Sequence, residues 1–240
     1  MIESLNPEAL NNAKWHGSKV LITGISSFIG QNLARFLIAN NANVVGLTRS
    51  ESKISIYKHV KLDITNHKEI TDFLSRHEFD YIFHLAAYSI QVTKDKSSNV
   101  VDVFKANIEG TWNLLDAVSK QSKLKKFILS STIQTNNSAY NELSIYASSK
   151  LCAEIITKSL AVFNDIPISI LHIPNLFGPG DINLTRIIPS AIRTTTPPVT
   201  CSASKPNSLP IATKPYPSAN IKPTPARTAP KPLTIYFTFS

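Results

Sequence analysis

Short apolar runs alternate with segments whose apolar residues recur every three or four positions, from residue 19 to about residue 173. Short apolar runs with polar boundaries predict buried strands, and the helical spacing predicts amphipathic helices. The predicted strands are 20–22, 42–47, 59–62, 81–85, 126–129 and 168–173. The predicted helices are a segment with Ile29, Leu33 and Phe36 on one face, followed by residues 68–76, 100–119 and 146–162.

The regular alternation of strand and helix predicts an α/β fold with a doubly wound parallel sheet. Apolar strands joined by amphipathic helices form parallel sheets that are covered on both faces. The connections between such strands are right-handed, and ligands bind at the carboxyl ends of the strands. We therefore expect functional residues at the strand ends and at the starts of the helices that follow.

Three regions of different composition divide the chain. Residues 1–17 are a polar leader, and residues 18–193 carry the alternating pattern. Residues 194–240 hold ten of the fifteen prolines, with no glycine, aspartate or glutamate. This Pro-, Ser-, Thr- and Lys-rich composition predicts a disordered tail. An irregular but packed extension, helped by the apolar residues 235–239, is the alternative.

The basic charge of the chain comes largely from this tail. The net charge is +9, and without the five basic residues of 194–240 there remain 20 basic against 16 acidic residues. No stripe of basic and aromatic residues occurs elsewhere, so nucleic-acid binding is not expected. No membrane-length apolar run and no secretory signal appear, and two isolated cysteines form no disulfide framework. The expected location is the cytoplasm.

The turn between the first predicted strand and the first predicted helix has the pattern of a dinucleotide site. Its first glycine, Gly24, permits a tight bend, and its last, Gly30, lets the helix pack closely on the strand. The N–H groups at the helix start can receive a pyrophosphate. Ser27 stands where a further glycine is usual, and it fits if its φ is negative. We expect cofactor contacts from Gly24, Ser27, Phe28, Ile29 and Gly30.

The ends of the second and third predicted strands bear on the choice of cofactor. An acidic residue ending the second strand bonds the 2′-hydroxyl of NAD, whereas an arginine accommodates the 2′-phosphate of NADP. Thr48 stands at the acid's place and Arg49 follows it. This favours NADP over NAD, unless Arg49 is only a solvated surface charge. Asp63 and Ile64 are placed to meet the adenine, although Asp63 can equally cap the following turn.

Tyr146 and Lys150 lie four residues apart, on one face of a predicted helix. An ammonium group beside a tyrosine favours the phenolate, which can take a proton from an alcohol while hydride leaves for the cofactor. Thr132, at the tip of the fifth strand, can hydrogen-bond the substrate oxygen, with Ser131 as the fallback. The alternative is that these hydroxyls only satisfy backbone groups.

These motifs, in their order along the chain, resemble the extended short-chain dehydrogenase/reductase family. The resemblance is to its NAD-dependent epimerase/dehydratase branch, which acts on nucleotide sugars, and it covers residues 18 to about 193. The matching segments are 23–30, 83–87, 107–111, 130–132, 146–154 and 174–181. Residues 146–157 and 184–189 are similar to sugar-nucleotide 4,6-dehydratases that act on CDP-glucose.

The resemblance implies a Rossmann-type domain and a set of site residues. Thr132, Tyr146 and Lys150 would be catalytic, with Thr132 and Asn175 meeting the nucleotide sugar. Tyr146 and Lys150 would also contact the cofactor. The further implied cofactor contacts are Leu85, Ala86, Ala87, Asn107, Ser130 and Pro174. A homodimer through the helices 100–119 and 146–162 is also implied. The six histidines have no metal-ligand spacing, so no metal is expected.

Two positions depart from the pattern of the sugar 4,6-dehydratases. Those resembling the dTDP-glucose type carry an Asp-Glu pair directly after the threonine, where this chain has Ile133 and Gln134. Neither side chain performs acid–base chemistry, which favours 4-epimerisation or 4-keto reduction over dehydration. His172 stands where many members have arginine.

Other readings of the chain stay open. It can be a non-catalytic NAD(P)-binding protein, or a truncated family member that lacks activity. Members that it resembles continue into a smaller C-terminal domain, and the abrupt change of composition after residue 193 is expected to reflect a shifted reading frame.

Overall fold

A computed structural model describes residues 15–49, 57–88, 100–136 and 143–176, with Gly178 and Asp181. The predicted tail 194–240 and most of the predicted leader lie outside the described residues. The strands are β1 (Lys19–Thr23), β2 (Asn43–Thr48), β3 (Lys58–Lys61), β4 (Tyr81–His84), β5 (Lys126–Thr132) and β6 (Ile168–Ile173). The α-helices are α1 (Phe28–Ala39), α2 (His67–Arg76), α3 (Val100–Phe104), α4 (Gly110–Val118) and α5 (Ile145–Asn164). A π-helical segment (Lys105–Glu109) joins α3 to α4, and a 3₁₀ helix (Ile133–Asn136) follows β5.

The six strands form one parallel sheet in the order β3-β2-β1-β4-β5-β6. This is the strand order of the doubly wound Rossmann fold, so the predicted fold class is confirmed. The direction of winding reverses between β1 and β4, which are neighbours in the sheet. A crevice therefore opens at the carboxyl ends of these two strands, where ligands bind in such folds.

Two hydrophobic clusters cover the two faces of the sheet, and alternate residues of one strand enter each of them. Leu21 of β1 packs with α2, α4 and α5, whereas Val20 and Ile22 pack with Ala34 and Leu37 of α1. All five side chains are fully buried. Trp15 adds to the α1 side, where its ring lies 5.0 Å from that of Tyr81. Because both faces are covered, the strands read as nearly continuous apolar runs.

Two glycines let the backbone segments around the crevice approach each other. Gly24 follows β1 with a φ of +70°, and a Cβ at this position would lie 2.7 Å from the backbone nitrogen of Ala86. A Cβ on Gly30, in the first turn of α1, would lie 2.5 Å from the carbonyl oxygen of Gly24. Both contacts are with backbone, which cannot move aside as a flexible side chain can. Glycine is therefore required at both positions, as the turn pattern predicts.

The predicted helix 100–119 is continuous, but its middle turn is π-helical rather than α-helical. Asn107 lies in this turn, is 1% exposed, and turns its side-chain amide toward the crevice loop. Periodicity alone does not reveal one extra residue in a turn. Such π-helical turns occur often at functional sites.

His84, the last residue of β4, connects β1, β4 and α4 through a buried hydrogen-bond chain. Its Nδ1 lies 2.7 Å from Oγ1 of Thr23, and its Nε2 lies 2.9 Å from Oγ1 of Thr111. The Thr111 hydroxyl donates to the carbonyl of Asn107. It must therefore accept the Nε2–H of His84, which leaves Nδ1 to accept from Thr23. Thr23 Oγ1 in turn accepts the backbone N–H of Ala86 at 3.2 Å.

This arrangement requires a neutral imidazole. Nε2 must carry a proton to donate to Thr111, whereas Nδ1 must be unprotonated to accept from Thr23. Complete burial and the nearby charge of Lys150 lower the pKa of His84 from 6.5 to about 3. Both ring nitrogens of His84 are thus satisfied within the core. Among the described residues, no three His, Cys, Asp or Glu side chains are grouped so as to hold a metal ion.

Within the same ranges, no helix has the length and apolar character needed to cross a membrane. The helices instead present one apolar face to the sheet, as the two clusters require.

We predict that His84 makes the stability of the domain fall in acid. In the unfolded chain its imidazole takes up a proton near pH 6.5, whereas in the folded chain it stays neutral down to about pH 3. Its contribution is therefore complete above pH 6.5 and is lost as the pH falls toward 3, by at most about 1.4 kcal/mol per pH unit. His84→Gln should be less stable at neutral pH but should lose less stability on acidification, measured by urea unfolding.

Thr111→Val is the matched control, since it breaks the same hydrogen-bond chain and keeps the imidazole. It should lower stability but retain the steep dependence on pH. Parallel pH profiles for the parent chain and His84→Gln would contradict the assignment of a neutral His84.

Candidate functional site

A cleft of about 200 Å³ lies at the carboxyl ends of β1, β2 and β4, where the strand order predicts a ligand site. Nine of the predicted cofactor residues line it: Gly24, Ser27, Thr48, Arg49, Asp63, Ile64, Leu85, Ala86 and Ala87. Ser26, Leu47, Leu62, Tyr88 and Ala106 also line it and were not predicted. The separate turn and strand-end patterns thus meet at one place.

Ser27 forms the N-cap of α1 at the rim of the cleft. Its φ is −71°, in the region that a serine adopts without strain, and its Oγ accepts the backbone N–H of Gly30 at 3.0 Å. An N-cap serine satisfies one of the first N–H groups of a helix and starts the helix at a defined residue. The other early N–H groups and the helix dipole favour an anion at this end.

The opposite end of the cleft carries the two residues that bear on the 2′-position of a bound adenosine. Thr48 is buried, whereas Arg49 is exposed, with its Cζ 6.0 Å from the centre of the Tyr88 ring. The carboxylate of Asp63 accepts from both the N–H and the hydroxyl of Thr65 at 2.9 Å. Asp63 thus caps the following turn, which is the alternative the sequence left open, and lines the cleft as well.

The wall between these ends is the segment after β4, which two buried side chains hold in place. Thr23 binds the N–H of Ala86. Asn107 accepts the N–H of Tyr88 at 2.7 Å and donates to the carbonyl of Tyr88 at 3.0 Å. The same amide donates to Ser149 of α5 at 2.9 Å. Asn107 therefore joins the cleft wall to the helix that carries Tyr146 and Lys150.

Several predicted cofactor residues lie outside this cleft. Phe28 and Ile29 are half-buried at the start of α1, and Gly30 lies beneath the turn. Ser130 of β5 donates to the carbonyl of His84 at 2.9 Å. Pro174 and Asn175 are exposed just after β6. Tyr146 and Lys150 are on α5 and do not line the cleft.

The residues around the cleft match those of a dinucleotide site. Gly24 lines the cleft and approaches the backbone of Ala86 too closely for a Cβ. The N-cap of α1, a guanidinium and several apolar residues also line it. These are the features that receive a pyrophosphate, a ribose substituent and an adenine ring. The residues present would hold NAD or NADP between α1 and the end of β3.

The proposed catalytic residues come from the carboxyl end of β5 and the first turns of α5, which pack together. Ser144 starts α5 by accepting the N–H of Ala147 at 3.1 Å. Thr132 is 8% exposed, and its Oγ1 accepts the N–H of Gln134 at 3.3 Å. Tyr146 is half-buried and Lys150 is 2% exposed. The register of α5 therefore puts the tyrosine nearer to solvent and the lysine in the core.

Lys150 is a buried cation with an unusual titration. Burial lowers its pKa from 10.5 to about 8, and the negative charge of Glu154 opposes part of that decrease. The ammonium form still predominates at neutral pH. Lys150 also lies close enough to His84 to lower the pKa of that imidazole. A positive charge in a poorly solvated site acts strongly on nearby titratable groups.

Glu154 is the centre of a buried cluster of polar side chains that contact its carboxylate, and the sequence does not reveal this cluster. Its carboxylate accepts a very short hydrogen bond from Ser131, and a second from Thr135 at 3.0 Å. Nε2 of His172 lies 3.2 Å from the same oxygen. Ser131, the fallback for Thr132, is thus engaged with Glu154. The only available signal was the spacing of Glu154, four residues after Lys150.

Comparison with known proteins agrees with this geometry. The chain is 30% identical to a dTDP-D-glucose 4,6-dehydratase of Dictyostelium discoideum, over 72% of this chain and 47% of that protein. It is 25% identical to a UDP-glucuronate 4-epimerase of Thermodesulfobacterium geofontis, over 70% of this chain and 60% of that protein. With a CDP-paratose 2-epimerase of Salmonella typhi, the chain spans only 39% of the relative. The chain thus spans about half the length of these curated relatives.

Solved structures share the fold. A UDP-glucuronic acid 4-epimerase of Bacillus cereus in complex with NAD has a TM-score of 0.56 and 26% identity, over 67% of this chain and 58% of that one. A Methanothermobacter thermautotrophicus epimerase has a TM-score of 0.62 and 24% identity, over 75% and 58%.

A match to the NAD dependent epimerase/dehydratase family extends over residues 20–198, which is most of the chain. It contains the glycine turn, the cleft wall, the Thr132 strand end and the Tyr146/Lys150 helix. The resemblance seen in the sequence is confirmed, and with it an enzyme family that uses a nicotinamide dinucleotide. The chain belongs to the NAD-dependent epimerase/dehydratase family of the extended short-chain dehydrogenases/reductases.

Proposed function

We propose that the protein is an NAD(P)-dependent oxidoreductase that acts at C4 of a nucleotide-bound hexose. The observation that carries the proposal is that Tyr146 and the buried Lys150 lie one turn apart on α5, and that α5 packs against β5, which ends at Thr132. The curated relatives act on nucleotide-linked sugars by name, which supports the substrate class.

Each of these three side chains has a distinct proposed role. Lys150 supplies a positive charge that favours the phenolate of Tyr146 and can hydrogen-bond the ribose of the cofactor. Tyr146 takes the proton of the C4 hydroxyl during oxidation and returns it during reduction. Thr132 donates a hydrogen bond to the C4 oxygen as its charge changes. When bound, the nicotinamide cofactor accepts or supplies the hydride.

We propose 4-epimerisation or 4-keto reduction rather than 4,6-dehydration. Loss of water needs an acid and a base beside the substrate, and the 3₁₀ helix after Thr132 begins with Ile133 and Gln134. Ile133 is 47% exposed, and the N–H of Gln134 donates to Thr132. Neither side chain transfers a proton at neutral pH. The identity to a 4,6-dehydratase keeps dehydration as the second candidate.

We further propose NADP as the preferred cofactor. Arg49 lies at the rim of the cleft, at the end of β2, and the neutral Thr48 stands before it. An acid at this point would bond a ribose 2′-hydroxyl and repel a 2′-phosphate, whereas a guanidinium attracts the phosphate.

The roles of Phe28, Ile29, Ser130, Pro174 and Asn175 as further contacts of cofactor or substrate stay proposals.

We propose that the protein forms a homodimer through α3, α4 and α5. An apolar patch on these helices includes Val101, Phe104, Trp112 and Ile156. Val101 is 58% exposed and Trp112 is 45% exposed, and exposed apolar patches mark interaction surfaces.

The cytoplasmic location stays a proposal that rests on the isolated cysteines.

The cofactor proposal predicts that NADPH binds more tightly than NADH. Arg49→Ala should weaken NADPH binding roughly tenfold, the scale of a hydrogen bond to a charged group, and leave NADH binding nearly unchanged. Titration calorimetry with both cofactors measures the ratio. Arg35→Ala removes an exposed arginine of α1 that does not line the cleft, and should leave the ratio as it is. Equal affinities in the parent chain would refute the preference.

The catalytic proposal predicts that Tyr146→Phe is nearly inactive. Removing one phenolic hydroxyl should lower the turnover of a nucleotide sugar roughly a hundredfold or more, because the proton transfer loses its base. Cofactor binding, measured on the same sample, should survive. The assay uses UDP-, dTDP- and CDP-hexoses and follows the C4 epimer or the alcohol formed. A fully active Tyr146→Phe chain would remove Tyr146 from the mechanism, and cofactor binding without any turnover would favour a binding protein.

A further inference from the structure

Tyr88 lines the cleft but has no role in the proposed catalysis. Its backbone N–H and carbonyl are both held by the side chain of Asn107, at 2.7 and 3.0 Å. Asn107 is 1% exposed and lies in the π-helical segment. The Tyr88 backbone is therefore fixed by a buried amide, and the residue lines the cleft.

The ring of Tyr88 contacts a charged side chain that follows another strand. Cζ of Arg49 lies 6.0 Å from the centre of the Tyr88 ring, within the range of a cation–π contact. Arg49 follows β2 and Tyr88 follows β4, so the contact spans the end of β1 that lies between them. Among the described lining residues of the cleft, Tyr88 is the one aromatic side chain.

The Arg49 side chain is exposed, and the contact with the Tyr88 ring restricts its position. A free arginine side chain samples many rotamers, and binding a phosphate requires it to give up that freedom. A ring that already holds the guanidinium at the cleft reduces this loss. The ring face leaves the N–H groups at the edge of the guanidinium available for phosphate oxygens.

We propose that Tyr88 is a specificity-determining residue, whose ring holds Arg49 at the ribose end of the cleft and thereby strengthens the selection of NADP over NAD. The inference rests on the proposed NADP preference and adds a second residue to it. Tyr88 acts through Arg49 and not on the reacting atoms, so its effect belongs to the ratio of the two cofactor affinities.

The test compares NADPH and NADH binding to the full chain in the parent, Tyr88→Phe and Tyr88→Leu forms. Phenylalanine keeps the ring face and should change the affinity ratio less than twofold. Leucine removes it and should lower the ratio roughly two- to fivefold, through NADPH alone, the scale of one exposed cation–π contact. Unchanged NADH affinity shows that the cleft is folded.

A double-mutant cycle separates this role from simple packing. In an Arg49→Ala background, Tyr88→Leu should leave the ratio unchanged, because the partner of the ring is gone. A ratio that still falls there would overturn the inference, as would an equal loss of both cofactors in Tyr88→Leu or no change at all. A parent chain that binds both cofactors equally would refute the NADP proposal itself. A selective parent with an insensitive Tyr88→Leu would refute only the role of Tyr88.

Discussion

The arrangement of the site depends on the two hydrogen bonds of the neutral His84 imidazole. Its two ring nitrogens have fixed and opposite roles, one accepting from Thr23 and the other donating to Thr111. Through Thr23 it sets the backbone at Ala86, and through Thr111 it sets the carbonyl of Asn107. Because the group is fully buried, an unmet nitrogen would carry a desolvation cost that neither water nor movement relieves. Directional bonds of this kind determine the positions of the parts they join.

Asn107 extends this control from the cofactor cleft to the catalytic helix. Its carbonyl takes the end of the His84 chain, while its amide holds both Tyr88 and Ser149. Ser149 lies next to Lys150 and donates to the carbonyl of Tyr146. The cleft wall and the Tyr146/Lys150 pair thus share one buried side chain. One turn after Lys150 on α5, Glu154 accepts hydrogen bonds from Ser131 and Thr135, which lie before and after Thr132 in the sequence, so the strand end with Thr132 is also tied to a buried polar group.

The fold and the glycine turn of the cofactor site could be predicted from the sequence, because both depend on patterns of residues that are close together in the chain. Apolar runs and helical spacing predict the strands, and a strand–turn–helix with Gly24 and Gly30 predicts the close backbone approach that the structure has. Parallel strands bring their carboxyl ends together, so separate motifs meet at one cleft. Tyr88 and the Glu154 cluster were not predicted, since their partners are 18 to 39 residues away in the sequence and no periodicity links them. The π-helical turn was missed because one added residue hardly changes the apolar spacing.

The central claim is that this chain binds a nicotinamide dinucleotide along the cleft between α1 and the end of β3. Hydrogen–deuterium exchange of the chain with and without NADPH tests it most directly, because it reports on each backbone amide. Bound NADPH should protect three separate stretches, residues 24–30, 47–49 and 85–88, together with the amides near Asp63. Little change is expected at the C-terminal end of α5, where Val162 and Phe163 are exposed. No protection at saturating NADPH, or protection confined to residues outside these stretches, would show that the dinucleotide does not bind in this cleft.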